Sequence, residues 1–392
     1  MSELSTHIPD EMVRPFVAQL DLPTPRELFD ALSERGYVGQ RGGRRALALM
    51  AHRHVRRLRS IYMEQVPRDR LPRKENLMLV GPTGCGKTFA IELLFREMLG
   101  LPTAIIDVTT LSETGYVGGD VSSVLTRLLY SAEMDPARAR VGVVCLDEID
   151  KIAGGSNNAV FAGAGTTKDV TGLGVQRELL KLLESTEVPV STGLDHSSYH
   201  QSVLMRTDDI SFVAAGAFSG LKTLSRKREK GVNRGMGFGQ ERVVSETIAV
   251  RYSAEELEDS AVFQSYGFLP ELIGRFSMVV PFEPLDADAM REILEKQVLP
   301  ARALELELAG IHLDVDEAVV GTLVKRALAR QTGARGLASA LTRALEDAAF
   351  EAFSAKGAKR VNVTMDGDTI VAEVERGVGW ARDDASEVSE EA

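Results

Sequence analysis

Gly81-Pro-Thr-Gly-Cys-Gly-Lys-Thr88 is the stretch that decides the fold. It fits the pattern G-x-x-x-x-G-K-[ST], in which glycines let the backbone curl round an anion with its N–H groups turned inward. Asn76 to Val80, just before it, is a short apolar run that reads as a buried strand. Phe89 to Leu99, just after it, reads as a helix. A glycine-rich turn between strand and helix aims the helix N-terminus at the loop, adding donors and a favourable dipole. In this setting Lys87 reaches the β- and γ-phosphates of ATP and Thr88 holds Mg²⁺. The expected nucleotide contacts are Gly81, Pro82, Thr83, Gly84, Cys85, Gly86, Lys87 and Thr88, with Phe89 next to them. A purely structural glycine turn is the competing reading, and the strand–turn–helix context argues against it.

Three more apolar runs lie downstream: Ala104 to Asp107, Val141 to Leu146 and Ile210 to Ala215, with helical segments between them. Strands alternating with helices predict an α/β domain whose parallel sheet is covered on both faces. Val143-Val-Cys-Leu-Asp147-Glu148 is an apolar strand ending in two carboxylates, the Walker B arrangement. Asp147 is expected to order the Mg²⁺ hydration shell and Glu148 to polarise the attacking water. An acidic loop capping a strand is the plain alternative, and the P-loop upstream decides against it.

Residues 1–24 read as a polar N-terminal extension ending at Pro23 and Pro25. Residues 25–284 form the large ATPase domain, with helices expected from Arg26 to Arg35 and from Arg44 to about Val66. After Pro284 the pattern becomes helical: Asp286 to Leu308, Asp316 to Ala329 and Ala334 to Phe353, followed by a short strand, Arg360 to Thr364. Residues 285–375 are therefore a small, mostly helical second domain. Residues 376–392 are an acidic tail predicted to be disordered.

The net charge of -11 argues against a protein whose main partner is the nucleic-acid backbone. Cys85 and Cys145 both sit inside core motifs. They predict no disulfide and no zinc site, and a count this low suits a reducing compartment. No basic segment followed by an apolar one opens the chain, and no stretch is apolar enough to span a bilayer. A cytoplasmic protein without membrane contact is expected.

Further motifs resemble one family. Leu22-Pro-Thr-Pro25 and Tyr37-Val-Gly-Gln40 are similar to the leading segment and adenine-pocket box of the ClpX unfoldases, which are AAA+ motors. Asp107 to Asp120, Leu146 to Ile152, Gly216 to Leu221, Tyr266 to Arg275 and Thr332 to Leu337 match the same family in order. The resemblance covers about residues 22–370 and implies an AAA+ large domain followed by a small helical lid domain. It implies a homo-hexamer that hydrolyses ATP and threads protein substrates through a central pore, into a ClpP-type peptidase. Tyr37 and Val38 then contact adenine. Tyr116 and Val117, flanked by Gly115 and Gly118, form the loop that grips substrate. Arg275 is the arginine finger offered to the neighbouring subunit, and Arg335 the second sensor in the small domain. Met236, Gly237 and Phe238 resemble the tripeptide loop that docks on the peptidase, where exposed apolar anchors stand among Lys, Arg and Gly.

The sequence also departs from that family. Residues 1–24 carry no cysteine, so the zinc-binding domain usual at the family's N-terminus is not expected in them. Thr192-Gly-Leu-Asp-His196 stands where a basic pore-entrance loop is usual, and Leu173 where an acid is common in the second pore loop. Ser211 is the one polar candidate on the strand after Walker B, and no first sensor is assigned. Two alternatives stay open: a remodelling chaperone that works without a peptidase, and a DNA-acting motor using the arginines between Arg41 and Arg59. An inert scaffold is disfavoured by the intact Lys87, Thr88, Asp147, Glu148, Arg275 and Arg335.

Overall fold

Leu77–Val80 forms strand β2, and every residue of it is buried in the computed structural model. The structure describes residues 6–111, 123–154, 170–184, 187–191, 202–221, 257, 260–355 and 357–376. The chain divides into two compact units between Pro284 and Leu285.

In the first unit, β2 lies in a five-stranded sheet with β3 (Thr103–Asp107), β4 (Val143–Asp147), β7 (Ser211–Gly216) and β8 (Met278–Pro281). The order is β3-β4-β7-β2-β8, and every pairing is parallel. Continuous apolar strands mean that both faces are covered. Met78, Val80, Val144, Leu146, Phe212 and Ala214 join one core with helices α5 (Ser123–Ser131) and α7 (Val170–Leu183). Alternate residues Leu77, Leu79, Val143, Cys145, Val213 and Ala215 face a second core. That core takes in α3 (Arg41–Tyr62) and α4 (Lys87–Ile91), which a π-helical turn, Glu92–Met98, continues.

β8 is absent from the sequence reading. It has four residues, an exposed Met278 and a closing Pro281, so no periodicity marks it, and Pro is tolerated there because the strand is an edge. A second sheet pairs β5 (Glu187–Ser191) and β6 (Ser202–Arg206) antiparallel, with β1 (Thr6–His7) parallel to β6.

The N-terminal segment is more than a polar extension. α1 (Asp10–Gln19) packs Val13 and Val17 into the second core, although Pro15 removes one helical hydrogen bond. A buried charge network holds it. Arg140, 1% exposed, donates to Asp10 at 2.7 Å and to the Ile8 carbonyl at 2.8 Å. Arg68 bridges Asp10 and the buried Asp209, and the Tyr62 hydroxyl donates to Asp209 at 2.7 Å. α2 (Pro25–Glu34) starts on a reciprocal cap: the Thr24 hydroxyl accepts from the Glu27 N–H, and the Glu27 carboxylate from the Thr24 N–H. Two short helices, α6 (Pro136–Ala139) and, further on, α8 (Ser260–Tyr266), precede α9 (Pro270–Ile273).

The second unit has helices α10 (Ala287–Ile293, continued by a π turn Leu294–Val298), α11 (Leu299–Glu307), α12 (Glu317–Arg330) and α13 (Gly333–Ser354). It holds more strand than the sequence predicts. β9 (His312–Val315), β10 (Ala358–Asp366) and β11 (Thr369–Arg376) form one sheet, with β10 central. Gly367, at φ 56°, turns the β10–β11 hairpin. Among the described residues no helix is long and apolar enough to cross a membrane.

Candidate nucleotide site

The site is built at the C-terminal ends of β2 and β4. Past Val80 the chain turns at Gly81, whose N–H donates to the Gly216 carbonyl of β7 at 3.1 Å. Gly84 and Gly86 take φ values of 77° and 94°, where a side chain is strained, and a Cβ on Gly86 would lie 2.9 Å from the Tyr37 hydroxyl. The loop then opens α4 at Lys87. The Lys87 ammonium is buried and donates to the Gly81 and Pro82 carbonyls at 2.6 and 3.0 Å, which fixes it inside the loop. Its third N–H faces the Cys85 sulfur at 3.8 Å, a weak acceptor that a phosphate oxygen can displace.

The next residue reaches β4. Thr88 Oγ1 donates to Asp147 Oδ2 at 2.7 Å, while Asp147 Oδ1 accepts the Glu148 N–H at 2.9 Å. Glu148 is exposed and left-handed, at φ 57°. A non-glycine residue in that region is strained, and such strain collects at functional sites. It turns the chain off β4 into a 3₁₀ segment, Ile149–Ile152. Asp150, buried there, accepts the Ala217 N–H at 3.1 Å and so ties the end of β4 to the chain leaving β7. A hydroxyl and a carboxylate side by side are hard oxygen donors, which suits Mg²⁺.

Tyr37 meets the loop from behind. Its hydroxyl donates to the Gly86 carbonyl at 3.0 Å, and its ring stacks on Phe89 with centroids 5.9 Å apart. Burial pushes the phenol well above its ordinary pKa, so it stays a neutral donor. Val38, next to it, is half-buried.

Gln40 is a positioning residue that the sequence reading quoted within its motif without assigning a role. Its amide donates to the Glu283 carbonyl at 2.6 Å and to the Cys85 carbonyl at 3.4 Å, and accepts the Glu283 N–H at 2.8 Å. It thereby clamps the phosphate loop to the chain leaving β8.

Arg275 follows α9 in the same unit. Its guanidinium pairs with Glu184 at the end of α7, and its carbonyl accepts from Asn76 at 3.1 Å. No contact joins it to Lys87, Thr88, Asp147 or Glu148 among the described residues. Arg335 lies in the first turn of α13 in the second unit, on a cavity of about 460 Å³ shared with Arg326, Arg330 and Arg343. Ser211, the one polar candidate for a first sensor, opens β7 at the far end of the sheet and bonds to His54 instead. Leu173 is half-buried in the first turn of α7. Tyr116 and Val117, Thr192 to His196, and Met236, Gly237 and Phe238 lie outside the described residues.

Comparison with known proteins adds three findings. Residues 73–279 match the AAA domain (Cdc48 subfamily), and residues 285–365 match the C-terminal, D2-small domain of ClpB protein. The chain is 34% identical over 366 residues to the ATP-dependent Clp protease ATP-binding subunit ClpX of Treponema denticola. That alignment covers 91% of this chain and 84% of the relative.

Proposed function

The chain belongs to the ClpX-type AAA+ ATPases, and from that premise we propose that it is an ATP-driven protein unfoldase acting as a homo-hexameric ring. The observation that carries the reading is the Thr88–Asp147 contact. It joins phosphate loop and Walker B strand at one point, with Glu148 beside them.

The roles follow from placement. The loop N–H groups and Lys87 bind the nucleotide phosphates. Thr88 and Asp147 hold Mg²⁺, which when bound neutralises phosphate charge. Glu148, exposed and with no described hydrogen bond on its carboxylate, takes the proton of the attacking water. Tyr37, Val38 and Phe89 supply apolar surface for the adenine. Arg275 serves the site of the neighbouring subunit, which agrees with its lack of contact with its own, and Arg335 reads the nucleotide from the small domain. Neutral, buried Cys85 and Cys145 fit a reducing cytoplasm.

Tyr116 and Val117 grip the polypeptide in the pore, and Met236-Gly237-Phe238 docks a ClpP-type peptidase. The ClpX relative is named as a subunit of a Clp protease, and the reading of both loops is supported by the resemblance of Tyr116-Val117 and Met236-Gly237-Phe238 to the family's motifs. The test mixes the protein with ATP, Mg²⁺, a ClpP-type peptidase from the same source and an unfolded fluorescent reporter. Wild type should drive degradation. Glu148→Gln and Tyr116→Ala should fail, and Phe238→Ala should fail while still hydrolysing ATP. ATP-dependent unfolding that needs Tyr116 but never yields degradation would make the protein a remodeller without a peptidase. No unfolding at all would sink the reading.

A further inference from the structure

Helix α3 carries an arginine-rich face that the nucleotide site does not use. Together with the run Leu71 to Glu75, which leads into β2, it encloses a cavity of about 630 Å³ within the first unit. No residue of the nucleotide site lines it. Lys74 lies just before β2 and Ser211 at the start of β7, so the cavity sits at the N-terminal ends of these strands. The phosphate loop follows the C-terminal end of β2, so the length of that strand lies between the two.

The lining combines an apolar floor with a cationic rim. Leu49, Met50 and Leu71 supply the floor, and Arg53, Arg56, Arg57, Arg73 and Lys74 supply the charge. Glu75 is the one carboxylate among the lining residues, and Arg53 already holds it at 2.5 Å. Arg56 pairs with Glu64, outside the lining, at 2.8 Å. Arg57, Arg73 and Lys74 have no carboxylate within ion-pair distance among the described residues, so the cavity keeps a positive excess.

Two half-buried side chains sharpen the point. Arg57 donates through Nη1 to the Pro72 carbonyl at 2.5 Å, but its Nε is buried with no hydrogen-bond partner. A buried guanidinium N–H without an acceptor destabilises a fold, and native proteins seldom leave one so. Lys74 donates to the Thr207 and Ile210 carbonyls at 2.6 and 3.0 Å and lies 4.7 Å from the centre of the Phe212 ring. Burial pulls its pKa down to about 7, with Asp208 and Asp209 opposing the shift and Arg57 adding to it. Ser211 and His54, by contrast, satisfy each other.

We propose that this cavity is a second anion site, distinct from the nucleotide site, that takes a small phosphorylated molecule with an apolar body. Its volume lies in the range of small-molecule pockets. Planar guanidinium forks match phosphate oxygens in pairs, and a lysine adds a point charge. A phosphate has terminal oxygens and charge enough for several of these cations, which one carboxylate lacks. The floor takes the rest of the molecule.

The test uses full-length protein with its nucleotide site saturated by Mg²⁺ and ADP, and phenyl phosphate as the probe, followed by ligand-observed NMR. One saturable site per chain is expected. Affinity should fall at least tenfold in an Arg56→Gln, Arg73→Gln double variant, whose exposed replacements should leave ATP turnover unchanged. Benzyl alcohol and inorganic phosphate, each lacking one half of the probe, should also bind at least tenfold more weakly. Pyridoxal 5′-phosphate gives an independent readout. Its aldehyde carbon forms an imine with Lys74 Nζ, releasing water, and borohydride delivers the hydride that reduces it to a stable amine. Label should accumulate on Lys74 ahead of the exposed Lys181 and Lys296, and less so in the double variant. Equal binding of phenyl phosphate by wild type and variant, or none by either, would overturn the proposal. Absence of binding with weakened ring assembly in the variant would instead mark the cavity as a contact between subunits.

Discussion

The Thr88 hydroxyl donates to the Asp147 carboxylate at 2.7 Å, and this bond closes the gap between two strands that are not neighbours. β7 runs between β2 and β4, so the phosphate loop and the Walker B strand meet only through side chains at their ends. Asp147→Asn keeps the shape and removes the charge that Mg²⁺ needs. We expect a folded protein that still binds nucleotide but hydrolyses ATP about 10²-fold more slowly or worse, on the scale of losing one electrostatic element of an active site. Steady-state hydrolysis across a Mg²⁺ titration checks it, and a wild-type rate at saturating Mg²⁺ would count against the assignment.

Gln40 exchanges two hydrogen bonds with Glu283 while reaching the Cys85 carbonyl. Gln40→Ala strips the Glu283 N–H and two carbonyls of their partner at once. A lost hydrogen bond of this kind costs about 0.5–1.5 kcal/mol net, so losing all three should weaken nucleotide affinity by about 10-fold or more. Gln40→Glu keeps the acceptor for the Glu283 N–H but sets a carboxylate against two carbonyl oxygens, and should bind no better than the alanine variant. Calorimetric titration with ADP measures both. Unchanged affinity in both variants would reduce Gln40 to a surface turn residue.

These cases show where sequence reading reaches its limit. The phosphate loop and the Walker B strand are legible because their chemistry is written in contiguous residues. The central strands are legible because burial on both faces demands unbroken apolar runs. Gln40 is different: its partner Glu283 is 243 residues away, and nothing local marks the pair. α1 hides behind Pro15, since tertiary contacts through Val13, Val17 and Asp10 outweigh a helix breaker. β8, β9 and β11 are short or half-exposed, so their alternation carries little signal, and the small domain reads as more helical than it is.

His54 makes stability depend on pH in a defined window. Its Nε2 faces the Val141 carbonyl at 2.9 Å, so it carries the proton, and Nδ1 accepts the Ser211 hydroxyl at 2.8 Å. Burial pushes the ring pKa down to about 4, with Lys74 and Arg57 adding to the effect and Asp209 opposing it. In the unfolded chain the value is about 6.5. The folded pKa is the lower one, so the stabilising contribution is complete above pH 6.5. It is lost as pH falls towards 4, and amounts to on the order of 3 kcal/mol. Lys74, whose pKa drops to about 7, acts in the same sense at higher pH, so the two windows separate near neutrality. Urea unfolding between pH 7 and 4.5 should show the decline in wild type and a flatter profile in His54→Gln. Parallel profiles would mean that carboxylates alone govern the acid limb.

Arg275 offers the sharpest test of ring geometry. Its guanidinium rests on Glu184, and no described contact brings it to the phosphate loop of its own chain. If it completes the neighbour's site, every active site needs Glu148 from one chain and Arg275 from the next. Arg275→Ala alone should lose hydrolysis by about 10³-fold or more, the scale of an arginine finger, and Glu148→Gln alone by about 10²- to 10⁴-fold. A mixture of the two variants then contains interfaces where an intact Glu148 meets an intact Arg275. Mixing should therefore restore a measurable fraction of turnover, greatest near equal proportions, although each parent is inactive. If Arg275 worked within its own chain, no mixed interface would hold an intact site, and activity would stay at the level of the parents at every ratio.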